Sequence, residues 1–194
     1  MKNLKQDNLK FLLGLLEEQL RLLNSPALEL VVCGGSALIA LDLVQRATRD
    51  IDVVATIRNH SLSDPEPFSK ELKEAINKLS DNLGLPKDWL NAAPADLFRM
   101  GLPDGFPDRL VKWEIGPTLV VHFIGRLDQI HFKLYAAVDC GGYHISDLMA
   151  LQPNSAEMLS AARWVITHDV SAGFRDLLEN LLTELGYAEV CRKV

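Results

Sequence analysis

The chain has 194 residues, a net charge of −6 and 48% hydrophobic residues, enough for one domain with a sizeable core or for one domain plus a small helical appendage. No apolar run is long enough to span a membrane, and lysines and arginines are scattered rather than gathered into a nucleic-acid-binding face. The three cysteines, Cys33, Cys140 and Cys191, have no paired spacing, which argues for a reducing cytoplasmic setting and against a disulfide framework or a zinc site.

Residues 4–23 read as a helix, with Leu9, Leu12, Leu13, Leu16, Leu20 and Leu23 forming one apolar stripe. Glu17, Glu18 and Gln19 interrupt the apolar positions, so this is an amphipathic helix and not a signal peptide. Leu28–Cys33 reads as a buried strand, broken by Gly34-Gly35, and Ser36–Gln45 is helical in pattern. Asp50–Ala55 reads as a second strand. Asp64-Pro65 predicts a helix start with Asp64 as cap, running to about Asn82. Residues 84–108 hold most of the prolines and read as irregular structure with short helical pieces. Leu110–Ile115 and Thr118–Ile124 predict a hairpin across Gly116-Pro117. The remainder reads as helices at Leu127–Val138, Ile145–Leu151, Asn154 to about His168, and Phe174–Leu185, with Asn154 and Glu157 spaced as a capping box. The expected class is α/β (α+β): an α/β core over residues 1–125 and a helical subdomain over 126–194, packed on that core.

Two features carry chemistry. The first is the order strand, Gly34-Gly35-Ser36, helix. Adjacent glycines permit a sharp turn and close approach of a ligand, and the helix start offers N–H groups to a phosphate; a plain tight turn has the same sequence. The second is Asp50-Ile51-Asp52, whose carboxylates at i and i+2 share one strand face while Ile51 and Val53 take the other. A divalent cation such as Mg²⁺ relieves the repulsion of such a pair, whereas a solvated strand face simply tolerates it. Together they place phosphate-binding amides and metal-binding carboxylates on adjacent elements, as phosphoryl and nucleotidyl transfer requires.

Gly34-Gly35-Ser36 followed by Asp50-Ile51-Asp52 resembles the signature of the DNA polymerase β-like nucleotidyltransferase superfamily. The longer string, Gly-Gly-Ser-Ala-Leu and then Arg46-x-Thr48-x-Asp50-Ile-Asp52, resembles its small bacterial branch, which includes the AbiEii-type toxins of toxin–antitoxin systems. The likeness continues in Leu102-Pro103-x-Gly105, in Asp128-Gln-Ile-x-x-Lys133-Leu-Tyr-Ala and in Ser146-Asp147-Leu148-x-x-Leu151, covering roughly residues 28–170. It implies a nucleotidyltransferase-like mixed sheet, with Mg²⁺ on Asp50 and Asp52 and the triphosphate of an NTP on Gly34, Gly35 and Ser36. It also implies active-site roles for Lys133 and Asp147. Read from the residues alone, Lys133 fits an exposed helix lysine equally well, and Asp147 a helix-start residue. Arg46 and Arg49 suit either phosphate contacts or ion pairs to the aspartates.

Members of the superfamily often add a third carboxylate from a later strand, yet Leu119–Ile124 holds no acid. Glu114 on the preceding strand is the candidate third metal ligand. His122 stands either in the acid's place or as a packed core residue. The leading expectation is a Mg²⁺-dependent transfer of NMP from an NTP to an RNA, protein or small-molecule acceptor, possible within a toxin–antitoxin pair. The second expectation is a catalytically inactive nucleotide- or partner-binding module of the same fold.

Overall fold

The computed structural model describes residues 6–194; the first two residues of the expected 4–23 helix lie outside them. The chain divides into two compact units, with the boundary along the chain between Gly125 and Arg126.

The first unit begins with α1 (Gln6–Leu22), in which Leu9, Leu12, Leu13, Leu16 and Leu20 are fully buried. Each such leucine contributes about 1.5–3 kcal/mol of burial energy. After β1 (Leu28–Cys33) the chain enters α2 (Gly34–Ala40), which is shorter than the expected Ser36–Gln45. Its stop is a left-handed residue, Asp42 at φ 55°. The amide of Leu43 donates to the carbonyl of Leu38 and that of Asp42 to Ile39, the paired bonds of a Schellman ending. Leu43 keeps the helical spacing because such endings place an apolar residue just beyond the stop.

Strand β2 (Ile51–Arg58) runs three residues further than expected and turns at Asn59-His60 into β3 (Ser61–Ser63). The next helix, α3 (Lys70–Leu83), starts at Ser69 and not at Asp64, and the Ser69 hydroxyl accepts from the Leu72 amide at 3.2 Å. Pro67 explains the correction: the residue before a proline is pushed out of helical conformation, so a helix cannot run through Glu66. Asp64 instead accepts from the Glu66 amide and pairs with Arg99 at 2.7 Å, and that guanidinium holds its carboxyl below the ordinary range.

The proline-rich stretch carries β4 (Leu90–Asn91), α4 (Ala95–Met100) and a 3-10 turn (Phe106–Arg109). Then come β5 (Val111–Gly116) and β6 (Leu119–Phe123), the expected hairpin. The sheet has six strands in the order β3-β2-β1-β6-β5, with β4 added beside β2. It is mixed: β1 pairs parallel to β6 and antiparallel to β2. Leu30, Val32, Ile51, Val53, Val121 and Phe123 join α1 and α3 in the main core. By strand alternation Cys33, Asp52 and His122 project from the opposite face.

The second unit is helical: α5 (Arg126–Cys140), α6 (Tyr143–Ala150), α7 (Ser155–His168), α8 (Ala172–Glu184) and the short α9 (Ala188–Cys191). The capping box at Asn154 and Glu157 is formed. Glu157 also takes two bonds from Arg126, at 2.6 and 3.1 Å, and this guanidinium holds its carboxyl below the ordinary range. A carboxyl depressed in the folded state stabilises above its unfolded value, and that contribution fades as pH falls through the folded value. Glu157→Gln should therefore cost about 1–2 kcal/mol at neutral pH. The gap to wild type should narrow below about pH 4 in urea melts followed across pH.

Candidate nucleotide and metal site

The site forms where β1 hands the chain to α2. Antiparallel pairing sets Cys33 opposite Asp52, so the turn after Cys33 lies beside the Asp52 side chain. Gly34 adopts φ +68°, and a Cβ there would fall 2.7 Å from Asp52 Oδ2. A Cβ on Gly35 would fall 2.7 Å from Thr48 Oγ1 and 3.1 Å from Arg46 Nη2. The two glycines are thus the surface against which the aspartate segment rests, and only a residue without Cβ permits so close an approach.

Both aspartates are half-buried. Thr48 donates its hydroxyl to Asp50 Oδ1 at 3.0 Å, and Asn91 donates its amide to Asp52 Oδ1 at 3.1 Å. Each acid thus takes a hydrogen bond from a neutral side chain. Arg46 is half-buried, its Nη1 donating to the carbonyl of Ala47 at 3.1 Å, while Arg49 is exposed. Ser36 is fully buried and its hydroxyl donates to the carbonyl of Cys33, so its side chain closes the turn. The set of hard oxygen donors fits Mg²⁺, which proteins hold through one or two carboxylates together with substrate phosphates.

Glu114 does not join the pair. It lies on β5, the far edge strand, exposed and paired with Lys112 at 2.7 Å. Two strands separate β5 from β2, which places Glu114 roughly 14 Å from Asp52 by strand spacing alone. The expectation of Glu114 as a metal ligand is corrected accordingly. Among the described residues no group of three His, Cys, Asp or Glu side chains is arranged to hold a metal ion. His122 is buried, its Nε2 lying 2.7 Å from Glu29 Oε2, at the edge of a cleft of about 670 Å³ that also includes Lys112 and His60. It pairs with Val31, two positions short of the Cys33 level and two strands from Asp52, so it does not stand at the aspartate pair.

Lys133 and Asp147 belong to the second unit. Lys133 is 4% and Asp147 2% exposed, and they form an ion pair of 2.8 Å between α5 and α6. The reading of Lys133 as an exposed helix lysine is thereby excluded. The Lys133 ammonium also lies 5.6 Å from the centre of the Tyr143 ring. Burying such a pair is expensive, which makes it an uncommon device for stability alone.

Two orienting residues escaped the sequence reading. Thr48 stood inside the recognised string without an assigned role. Asn91 carried no signal, since only the pairing of β4 with β2 brings it beside Asp52.

Comparison with known proteins finds one family model, described as a nucleotidyltransferase of unknown function (DUF6036), matching residues 10–148, more than two thirds of the chain. The chain belongs to this nucleotidyltransferase family. The match spans the glycine turn, the aspartate pair and both Lys133 and Asp147. No curated protein and no solved structure matches. Among the described residues of this nucleotidyltransferase-family chain, no helix is long and apolar enough to cross a membrane.

Proposed function

We propose that the chain is a Mg²⁺-dependent enzyme that transfers NMP from an NTP to an RNA, protein or small-molecule acceptor. The observation that carries the reading is the contact of the Gly34-Gly35 backbone with Asp52 and with Thr48, which orients Asp50. In this reading Asp50 and Asp52 hold the metal, and the turn at Gly34, Gly35 and Ser36 takes the β- and γ-phosphates, with Arg46 and Arg49 at its flank. An acceptor oxygen attacks the α-phosphorus, and pyrophosphate leaves with the electron pair of the broken P–O bond. Mg²⁺ supplies charge neutralisation on the phosphates. By the family resemblance, the Lys133–Asp147 pair of the second unit also contributes to transfer. The cytoplasm suits the three free cysteines, and the likeness to AbiEii-type toxins makes a toxin–antitoxin partner the first class to test.

The position of Glu114 favours a second reading, a nucleotide- or partner-binding module without transfer. Incubation with each α-labelled NTP and Mg²⁺, against total RNA and neighbouring proteins, separates the two. The enzyme reading expects label on one acceptor class, reduced about a hundred-fold or more in Asp50→Ala and in Asp52→Ala. NTP binding that survives Asp50→Ala, with no label transferred by wild type, establishes the binding module instead.

A further inference from the structure

We infer that Asn91 is the positioning residue of the metal site, selecting which Asp52 oxygen is presented to a divalent cation. The inference rests on the reading of Asp52 as a metal ligand. Three bonds fix the Asn91 amide. The Ala93 amide N–H, which can only donate, points to Asn91 Oδ1 at 2.8 Å. The Asp88 carbonyl, which can only accept, takes Nδ2 at 3.2 Å. The ends of the side chain are therefore not interchangeable, and Nδ2 is the end that meets Asp52 Oδ1 at 3.1 Å. Asp52 Oδ2 is the oxygen on the Gly34 side, 2.7 Å from where a Cβ on Gly34 would stand.

The segment that carries Asn91 is itself anchored. Parallel pairing sets Asp52 opposite Asn91 and Ile51 opposite Leu90. The Ile51 amide donates to the Trp89 carbonyl at 2.7 Å. Trp89 is 1% exposed, and its indole N–H donates to the Ile76 carbonyl in α3 at 3.1 Å. A two-residue strand next to a fully buried tryptophan thus delivers one amide to one carboxylate oxygen. Groups that orient a metal's ligands commonly affect affinity by about ten- to a hundred-fold.

Two variants separate positioning from simple support. Asn91→Ala removes the donor to Asp52. Asn91→Asp keeps an acceptor for the Ala93 amide but sets a carboxylate oxygen against the Asp88 carbonyl and against Asp52, and a bound cation relieves the repulsion between the two acids. The full chain is titrated with MnCl₂ in a calorimeter and melted in EDTA and in MnCl₂. The expected results are a Mn²⁺ Kd about ten-fold weaker in Asn91→Ala, and a melting deficit in Asn91→Asp that is present in EDTA and shrinks in MnCl₂. A wild-type Kd in Asn91→Ala, or an Asn91→Asp deficit equal in EDTA and MnCl₂, overturns the positioning role while leaving Asp52 as a ligand. A wild type that binds no Mn²⁺, with or without NTP, removes the metal reading and this inference together.

Discussion

Gly34→Ala is expected to abolish the joint thermal stabilisation by Mg²⁺ and NTP while leaving a folded protein. Two effects act at this position. The left-handed φ of +68° costs an alanine about 1–2 kcal/mol. The new methyl would also stand 2.7 Å from Asp52 Oδ2, so the carboxylate must move off the turn. Gly84→Ala is the matched control. Gly84 has φ +63° at the end of α3, with nothing within 4 Å of a built Cβ. It carries similar backbone strain without the contact, and it should lose stability alone. The measurement is thermal melting of both variants with EDTA, Mg²⁺, NTP and Mg²⁺ plus NTP. If Gly34→Ala keeps the joint shift at wild-type size, the turn is not where phosphate and metal meet.

The second large effect concerns the buried pair in the helical unit. Lys133→Met leaves the Asp147 carboxylate without its counter-charge in a site only 2% exposed, and should cost about 3–5 kcal/mol in urea melts. Replacing both partners, Lys133→Met with Asp147→Leu, removes the uncompensated charge and should return most of that loss, since apolar substitutes for buried ion pairs are often neutral or better. The double variant then isolates function from folding. The expected result is a stable protein that transfers no label from an α-labelled NTP. Full transfer by the double variant would assign the pair to architecture alone.

The legible parts of this fold were those whose signals are local. The leucine stripe of α1 and the Asn154–Glu157 box each depend on residues within a few turns, and both formed as the spacing predicts. The β2–β3 hairpin was missed because its turn is Asn59-His60, at φ 50° and 62°, without the glycine that usually announces such turns. Asp64 was misread because its cap signal is local, while its partner Arg99 lies 35 residues away. The site divides along the same line. Asp50, Asp52 and the glycines are legible as candidates by type and order. Asn91 reaches Asp52 across 39 residues through a two-residue strand, a contact that no periodicity encodes. Glu114 had the right side-chain direction, but the sheet order set two strands between it and Asp52.

Glu114 has another consequence where it stands. An open sheet offers its edge strands to any passing extended chain, and here the edges are β3 and β4 on one side and β5 on the other. Strands β3 and β4 are only three and two residues long, poor templates. Strand β5 is six residues long and begins with the half-exposed Val111, but it carries Lys112 and Glu114 side by side, both open to solvent. Charges at an edge must be desolvated before another strand can dock there. The carboxylate that is absent from the aspartate pair thus helps keep the folded chains from stacking edge to edge in a crowded cell.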